Sequence, residues 1–325
     1  MKLGIMSFAH MHAYSYAASI AQVDGVELAS VWDDDPARGM AAAEQNGAAF
    51  IADQAAFLKS DIDGVIICSE NVKHRAMVEA AARAKKWILC EKPLATTIED
   101  AQAMIDVCKK EGVGLGTAFP CRHVPPLVAV KDEIADGKYG AIYAATCTNN
   151  GSYPGGWFAD EALSGGGATM DHTVHVADVL RWMLGKEFTH VYCENGNLVR
   201  PGIGTDDFGS LHLEMEGGIK ISHVASWNRA KSFPTWGDVT MEIIGEKGVV
   251  TVDAFNQKID LYNDDAMRTQ WVGWGDNCDI GLVRDLADAI RERRDPAATG
   301  VDGLRAVEVT VAAYRSAKSK QRVAV

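Results

Sequence analysis

A chain of 325 residues, 47% hydrophobic and 23% charged, is long enough for two domains with buried cores and has the balance of a globular protein. Its formal net charge of -12 offers no basic surface to nucleic acid or to an anionic membrane, which excludes both as partners. With no long apolar run and no signal-peptide pattern a cytoplasmic location is expected, and the scattered cysteines, without a C-x-x-C pair, are expected to be buried reduced thiols.

The first 120 residues alternate short apolar runs, "KLGIM", "VELASVW", "GVIICS", "WILCE" and "VGLGTAF", with helix-like stretches at 13–22, 36–46, 72–84 and 97–111. Continuous apolar strands separated by helices predict an α/β domain of the Rossmann type, a doubly wound parallel sheet covered on both faces. Thr97, three residues before Asp100, marks a helix start.

The first strand runs into "SFAHMHA", where a doubly wound fold places its glycine-rich phosphate turn. Ser7, Ala9 and His12 stand at the G-x-G-x-x-G spacing. Ser and Ala are the next smallest residues, and the free amides of the following helix favour a phosphate. His12 is the anomaly, and the segment alone leaves open whether this is a dinucleotide loop. About twenty residues further on, Asp33 ends the second strand, where a carboxylate accepts ribose hydroxyls and disfavours a 2′-phosphate. Asp34 and Asp35 read instead as a solvated turn capping the next helix, and Arg38 bears on the choice between NAD and NADP. "ILCEKPLA" ends a strand at Glu91, and Pro93 holds Lys92 at the binding edge of the sheet.

Beyond residue 120 the pattern changes. After a helix at 124–136, strands are predicted at 141–150, 190–199, 207–216, 219–227, 239–245, 248–255 and 258–263, with helices at 168–184, 280–293 and 302–317. Gly217-Gly218 and "GEKG" read as hairpin turns, and the alternation of the strands predicts an α+β domain over 121–325 with a large, mostly antiparallel open sheet. One face of that sheet is expected to support a homodimer or homotetramer.

"GGGATMDHTVHVADVLRWMLG" is the sharpest stretch. On a helix, Asp171, His175 and Asp178 fall on one narrow stripe, beside an apolar one of Val176, Val179, Leu180 and Met183. Asp171 can orient the His175 imidazole and support its cation, or the two can be a structural pair. A metal reading of Asp171, His172, His175 and His10 fails on spacing, so no metal is expected.

Taken together, these stretches resemble the glucose–fructose oxidoreductase / inositol dehydrogenase (Gfo/Idh/MocA) family over nearly the whole chain. "DGVIICSENVKHRAMVEAAARAKKWILCEKPLA", "GGGATMDHTVHVADVL" and "DGLRAVEVTVAAYRSAKSKQRV" carry the resemblance. It implies an NAD(P)-dependent dehydrogenase acting on a secondary alcohol of a sugar, inositol or polyol, with the family's lysine, aspartate and histidine at Lys92, Asp171 and His175. The implied cofactor set is Ser7, Phe8, Ala9, His10, His12, Asp33, Ser69, Glu70, Asn71, His74, Glu91 and Lys92. Glu70 departs from the proline common there, and faces either the nicotinamide ribose or solvent. Arg122, His123, Trp157, His172, Trp227 and Asn228 are candidates to read the substrate. Two other readings share the frame: a glycoside-processing enzyme that recycles its NAD, and a nucleotide-binding sensor without catalysis.

Overall fold

The computed structural model describes residues 1–233, 235–273 and 277–325. Contacts divide the chain into two units: residues 1–120, 162–165 and 278–307, and residues 121–161, 166–277 and 308–325.

The first unit opens with β1 (Lys2–Met6), α1 (His12–Ile20), β2 (Glu27–Trp32), α2 (Pro36–Asn46) and β3 (Ala49–Phe50). It continues through α3 (Gln54–Lys59), β4 (Gly64–Ile67), α4 (His74–Arg83), β5 (Trp87–Cys90), α5 (Ile98–Glu111) and β6 (Leu115–Thr117). The six strands form one parallel sheet in the order β3-β2-β1-β4-β5-β6. Strand order reverses between β1 and β4, so the turn leaving β1 lies where open parallel sheets bind ligands. Burial explains the uninterrupted apolar runs: Leu3, Ile5, Val31 and Ile66 lie in one core, against Ala13, Tyr16 and Ile20 of α1. Thr97 caps α5 as predicted, its hydroxyl accepting the Asp100 amide at 3.1 Å.

The second unit holds α6 (Pro125–Ala135) and β7 (Ile142–Asn150), followed past the short α7 (Glu161–Ser164) by α8 (Ala168–Leu184). After them come β8 (Phe188–Gly196), β9 (Phe208–Met215), β10 (Ile219–Ser226), β11 (Thr240–Gly245), β12 (Gly248–Asp253), β13 (Lys258–Asn263) and β14 (Arg268–Gly273). The chain then forms α9 (Cys278–Glu292), α10 (Gly300–Ser319) and β15 (Val323–Ala324). Seven strands build one mixed sheet, β12-β11-β7-β10-β9-β8-β15, antiparallel except where β10 runs parallel to β7. The two predicted hairpins form: residues 216–218 turn β9 into β10, and Glu246-Lys247 joins β11 to β12.

The structure departs from the sequence reading in places. The strand predicted at 190–199 starts at Phe188 and ends at Gly196, because the amides of Leu198, Val199 and Arg200 go to the Asp207 carboxylate at 2.7–3.1 Å. The strand at 258–263 joins β14 in a separate two-stranded sheet. The helix predicted at 280–293 is α9, which packs on α1 in the first unit through Leu282, Val283 and Leu286. All seven cysteines are free, six of them buried. Among the described residues no helix is long and apolar enough to cross a membrane.

Candidate functional site

In the first unit the turn after β1 is held by side chains. Ser7 is fully buried with φ of 71°, a left-handed conformation that glycine adopts freely and serine only at a cost of about 1 kcal/mol. Its amide donates to the Trp32 carbonyl at 2.7 Å, and the Phe8 amide donates to Asp33 Oδ2 at 2.8 Å. Ala9 donates to Ser7 Oγ at 3.2 Å and His10 to the Cys68 carbonyl at 2.9 Å. Asp33, 2% exposed, also accepts Arg38 Nε at 2.9 Å, Arg38 Nη2 at 2.6 Å and the Asp35 amide at 2.9 Å. Arg38 reaches Ser7 Oγ as well, at 3.3 Å. The carboxylate expected to meet a ribose is thus also the bracket of the loop. Asp35 caps α2, as the sequence suggests, but Asp34 does not; it pairs with Arg38 and Lys73.

The neighbouring strand ends supply the other expected residues. Ser69 is buried, its hydroxyl 3.1 Å from the Glu70 carbonyl, and the Glu70 carboxylate pairs with Lys73 at 2.9 Å. Asn71 donates to the Ser164 carbonyl at 2.8 Å. His74 Nδ1 donates to the carbonyls of Pro93 and Leu94 at 3.0 and 3.2 Å, and burial holds its pKa below the ordinary value. That contact ties α4 to the turn carrying Lys92, which is 4% exposed and joined to Pro93 by a cis peptide. Glu91 is fully buried: Oε2 accepts the Tyr16 hydroxyl at 2.7 Å and Oε1 lies 3.2 Å from His12 Nδ1. Burial alone would raise its pKa, but the charges of His10, His12 and Lys92 hold it well below the usual carboxylate range. Among the described residues, His10, His12 and Glu91 each bring a potential ligand atom within 4.8 Å of the others.

In the second unit α8 begins under tight constraint. A Cβ on Gly167 would lie 1.9 Å from the Asp206 carbonyl oxygen, so only glycine fits. The first amides of the helix are met from far along the chain: Asp206 accepts Gly167 at 3.2 Å and Thr169 at 2.7 Å, and Tyr314 Oη accepts Gly167 at 2.9 Å. Packing on β7, β9, β10 and α6 buries most of α8, polar residues included. Asp171 accepts the Trp227 indole N–H at 2.8 Å, and its Oδ2 lies 3.3 Å from His172 Nε2. His172 Nδ1 faces the Asn149 carbonyl at 2.8 Å and donates there, which fixes the ring with Nε2 turned toward Asp171. His175, 5% exposed, follows one turn later on the stripe of Asp171.

The other substrate candidates are placed as follows. The Arg122 guanidinium grips Asp178 through Nε at 2.9 Å and Nη2 at 2.6 Å, both groups buried, an arrangement that fixes α8. His123 is half-buried at the end of the turn 120–123. Trp157 stacks on Phe158 at 3.9 Å, and Phe158 meets Trp227 edge-on at 6.3 Å. Asn228 donates to the Asp207 carbonyl at 3.0 Å and accepts from Arg200, which also lies over the Tyr153 ring at 4.8 Å. Tyr16, Lys73, Asp206 and Tyr314 escape the sequence reading, because nothing local links them to the groups they hold.

Two family models match. The one described as "Oxidoreductase family, NAD-binding Rossmann fold" covers residues 3–119, and the "GFO/IDH/MocA C-terminal domain" covers residues 127–251. The 1,5-anhydro-D-fructose reductase of Ensifer adhaerens is 27% identical over 321 residues, 95% of this chain and 94% of its own. The inositol 2-dehydrogenase of Rhizobium meliloti is 27% identical over 319 residues, 95% of each chain. In fold, the chain is similar to the scyllo-inositol dehydrogenase from Lactobacillus casei with bound NAD(H) and scyllo-inositol, with a TM-score of 0.85, 23% identity and coverage of 100% and 98%.

Proposed function

The chain belongs to the GFO/IDH/MocA oxidoreductases and carries their NAD-binding Rossmann fold, and from that premise we propose a dehydrogenase or reductase acting on a secondary alcohol of a sugar, inositol or related polyol. The observation that carries the reading is the start of α8, where Asp171 and His175 share a buried stripe and Asp171 is oriented by Trp227 and His172. Substrates named for two relatives, inositol and 1,5-anhydro-D-fructose, belong to the same chemical class.

A dinucleotide fits the first unit on three observations. The turn after β1 lies at the reversal of strand order, Ser7 adopts the left-handed turn a glycine would take, and a carboxylate ends β2. Held by the turn from Ser7 and by Asp33, a nicotinamide dinucleotide would supply the hydride acceptor or donor. Asp33 favours NAD over NADP, since a fixed carboxylate repels a 2′-phosphate.

Oxidation removes a hydride from carbon and a proton from oxygen, leaving a carbonyl. His175 takes the hydroxyl proton and, in reduction, returns it. Asp171 orients that imidazole and accepts a neighbouring hydroxyl, which suits a polyol. Lys92 donates to the reacting oxygen and stabilises its developing negative charge. The same reading includes self-association through the second sheet, where Ile244 and Val249, opposite each other on β11 and β12, are 38% and 58% exposed.

The test is a panel of inositols, aldoses, polyols and glycosides with NAD⁺ and NADP⁺, following NADH and products together. His175→Ala is expected to lose ~10²–10⁴-fold in turnover. Wild-type turnover in that variant overturns the role of His175. Hydrolysed or epimerised sugar without NADH overturns net oxidation in favour of a recycled cofactor.

A further inference from the structure

We propose that His10, His12 and Glu91 form a binding site for a divalent transition-metal ion of the zinc or cobalt type. Its three residues also belong to the expected cofactor set, but the inference does not rest on the reaction proposed above. It begins from the residue that reading leaves unexplained, the histidine where a phosphate turn carries glycine.

The loop after β1 brings two imidazoles together, with ring centres 4.3 Å apart, beside a fully buried carboxylate from the end of β5. The potential ligand atoms of the three lie within 4.8 Å of one another. Metal–ligand bonds of about 2.0–2.2 Å put tetrahedral ligand atoms about 3.3 Å apart. His12 Nδ1 and Glu91 Oε1 already stand at 3.2 Å, with a ligand atom of His10 within 4.8 Å of both.

The surroundings are those of a held ligand. Tyr16 donates to Glu91 Oε2 at 2.7 Å, which fixes the carboxylate and leaves Oε1 directed at the imidazoles. The His12 amide meets His10 Nδ1 at 3.2 Å, a long bond that a metal can replace. The His12 side chain is 34% exposed while that of Glu91 is fully buried, so an ion reaches the carboxylate past His12. Two nitrogens and one oxygen select zinc, cobalt or nickel over magnesium and calcium, which prefer all-oxygen shells. Three protein ligands leave a position open to an exchangeable oxygen ligand.

The experiment uses the whole chain, stripped with a chelator and titrated with Zn²⁺ or Co²⁺. Bound metal is measured by mass spectrometry after gel filtration, and Co²⁺ coordination by its visible absorption. One equivalent per chain is expected, with absorption indicating nitrogen ligation. His12→Ala should abolish it, and Tyr16→Phe, which leaves all three ligands in place, should weaken it ~10–100-fold. Circular dichroism checks that both variants fold. Absence of stoichiometric metal in the wild type overturns the proposal, as does equal affinity in wild type and His12→Ala. NAD binding to the metal-stripped chain, followed separately by fluorescence, reports on the cofactor reading alone.

Discussion

Two helix starts in this protein meet the same demand by opposite means. The turn into α1 has no glycine: Ser7 is held at φ of 71° and the Phe8 amide is tied to Asp33, which Arg38 grips in turn. The turn into α8 has three glycines, and Gly167 lets the backbone of residue 206 approach where any side chain would collide. Both recruit a carboxylate from a distant segment, Asp33 in one and Asp206 in the other. A buried helix start needs its amides satisfied, and either a strained residue braced by side chains or an unstrained glycine can supply that. What differs is depth. The polar contacts of α8 are sealed in, while Arg38 keeps part of its guanidinium in water, 27% exposed.

That contrast can be broken by mutation. The largest effect is expected at Arg122→Met, which leaves the Asp178 carboxylate charged and fully buried on α8; a loss of about 3–5 kcal/mol in urea unfolding is predicted. Acid should come next. His223 on β10, packed toward α8, is driven by burial from its ordinary 6.5 to about 3, with the backbone carbonyl of Cys147 opposing and the charge of His172 adding. Between those values the unfolded chain binds the extra proton, so stability falls as pH drops from 7 to 4, by about 3 kcal/mol. His223→Leu should flatten that part of the profile. In the first unit, Asp33→Asn weakens the pairing with Arg38 and is expected to cost about 2 kcal/mol, less than Arg122→Met because Arg38 stays partly hydrated. A larger loss there than at Arg122 would reverse the comparison. The smallest effect is at Ser7: both Ser7→Gly and Ser7→Ala lose the hydroxyl, but glycine relieves the left-handed strain, so it should be the more stable of the two by about 1 kcal/mol.

Much of this was legible in the sequence wherever one segment reports on itself. The apolar runs of β1, β2, β4 and β5 and the limits of α8 follow from periodicity and turn residues, and Thr97 announces α5. Pairings between distant segments were not legible. The pattern of α9 shows that it has a buried face but not that the face meets α1. β14 has no hydrophobic alternation clear enough to separate it from loop, and its pairing with β13 is a tertiary fact. At the candidate site, Lys92, Asp171 and His175 were marked by motif. The groups that hold their neighbours, Tyr16 on Glu91, Trp227 on Asp171 and Arg122 on Asp178, were either missed or read as substrate contacts. A side chain that fastens another leaves no local trace, because its position is set by the finished core.

The bracket around Asp33 also constrains how this protein can change. In dinucleotide frames the acidic residue after the second strand meets the ribose, and its task there is to choose between NAD and NADP. Here the same carboxylate receives the Phe8 and Asp35 amides and both ends of the Arg38 fork. Any substitution at this position would first have to rebuild the turn it secures, so on the proposed reading coenzyme choice and foldability are inherited together.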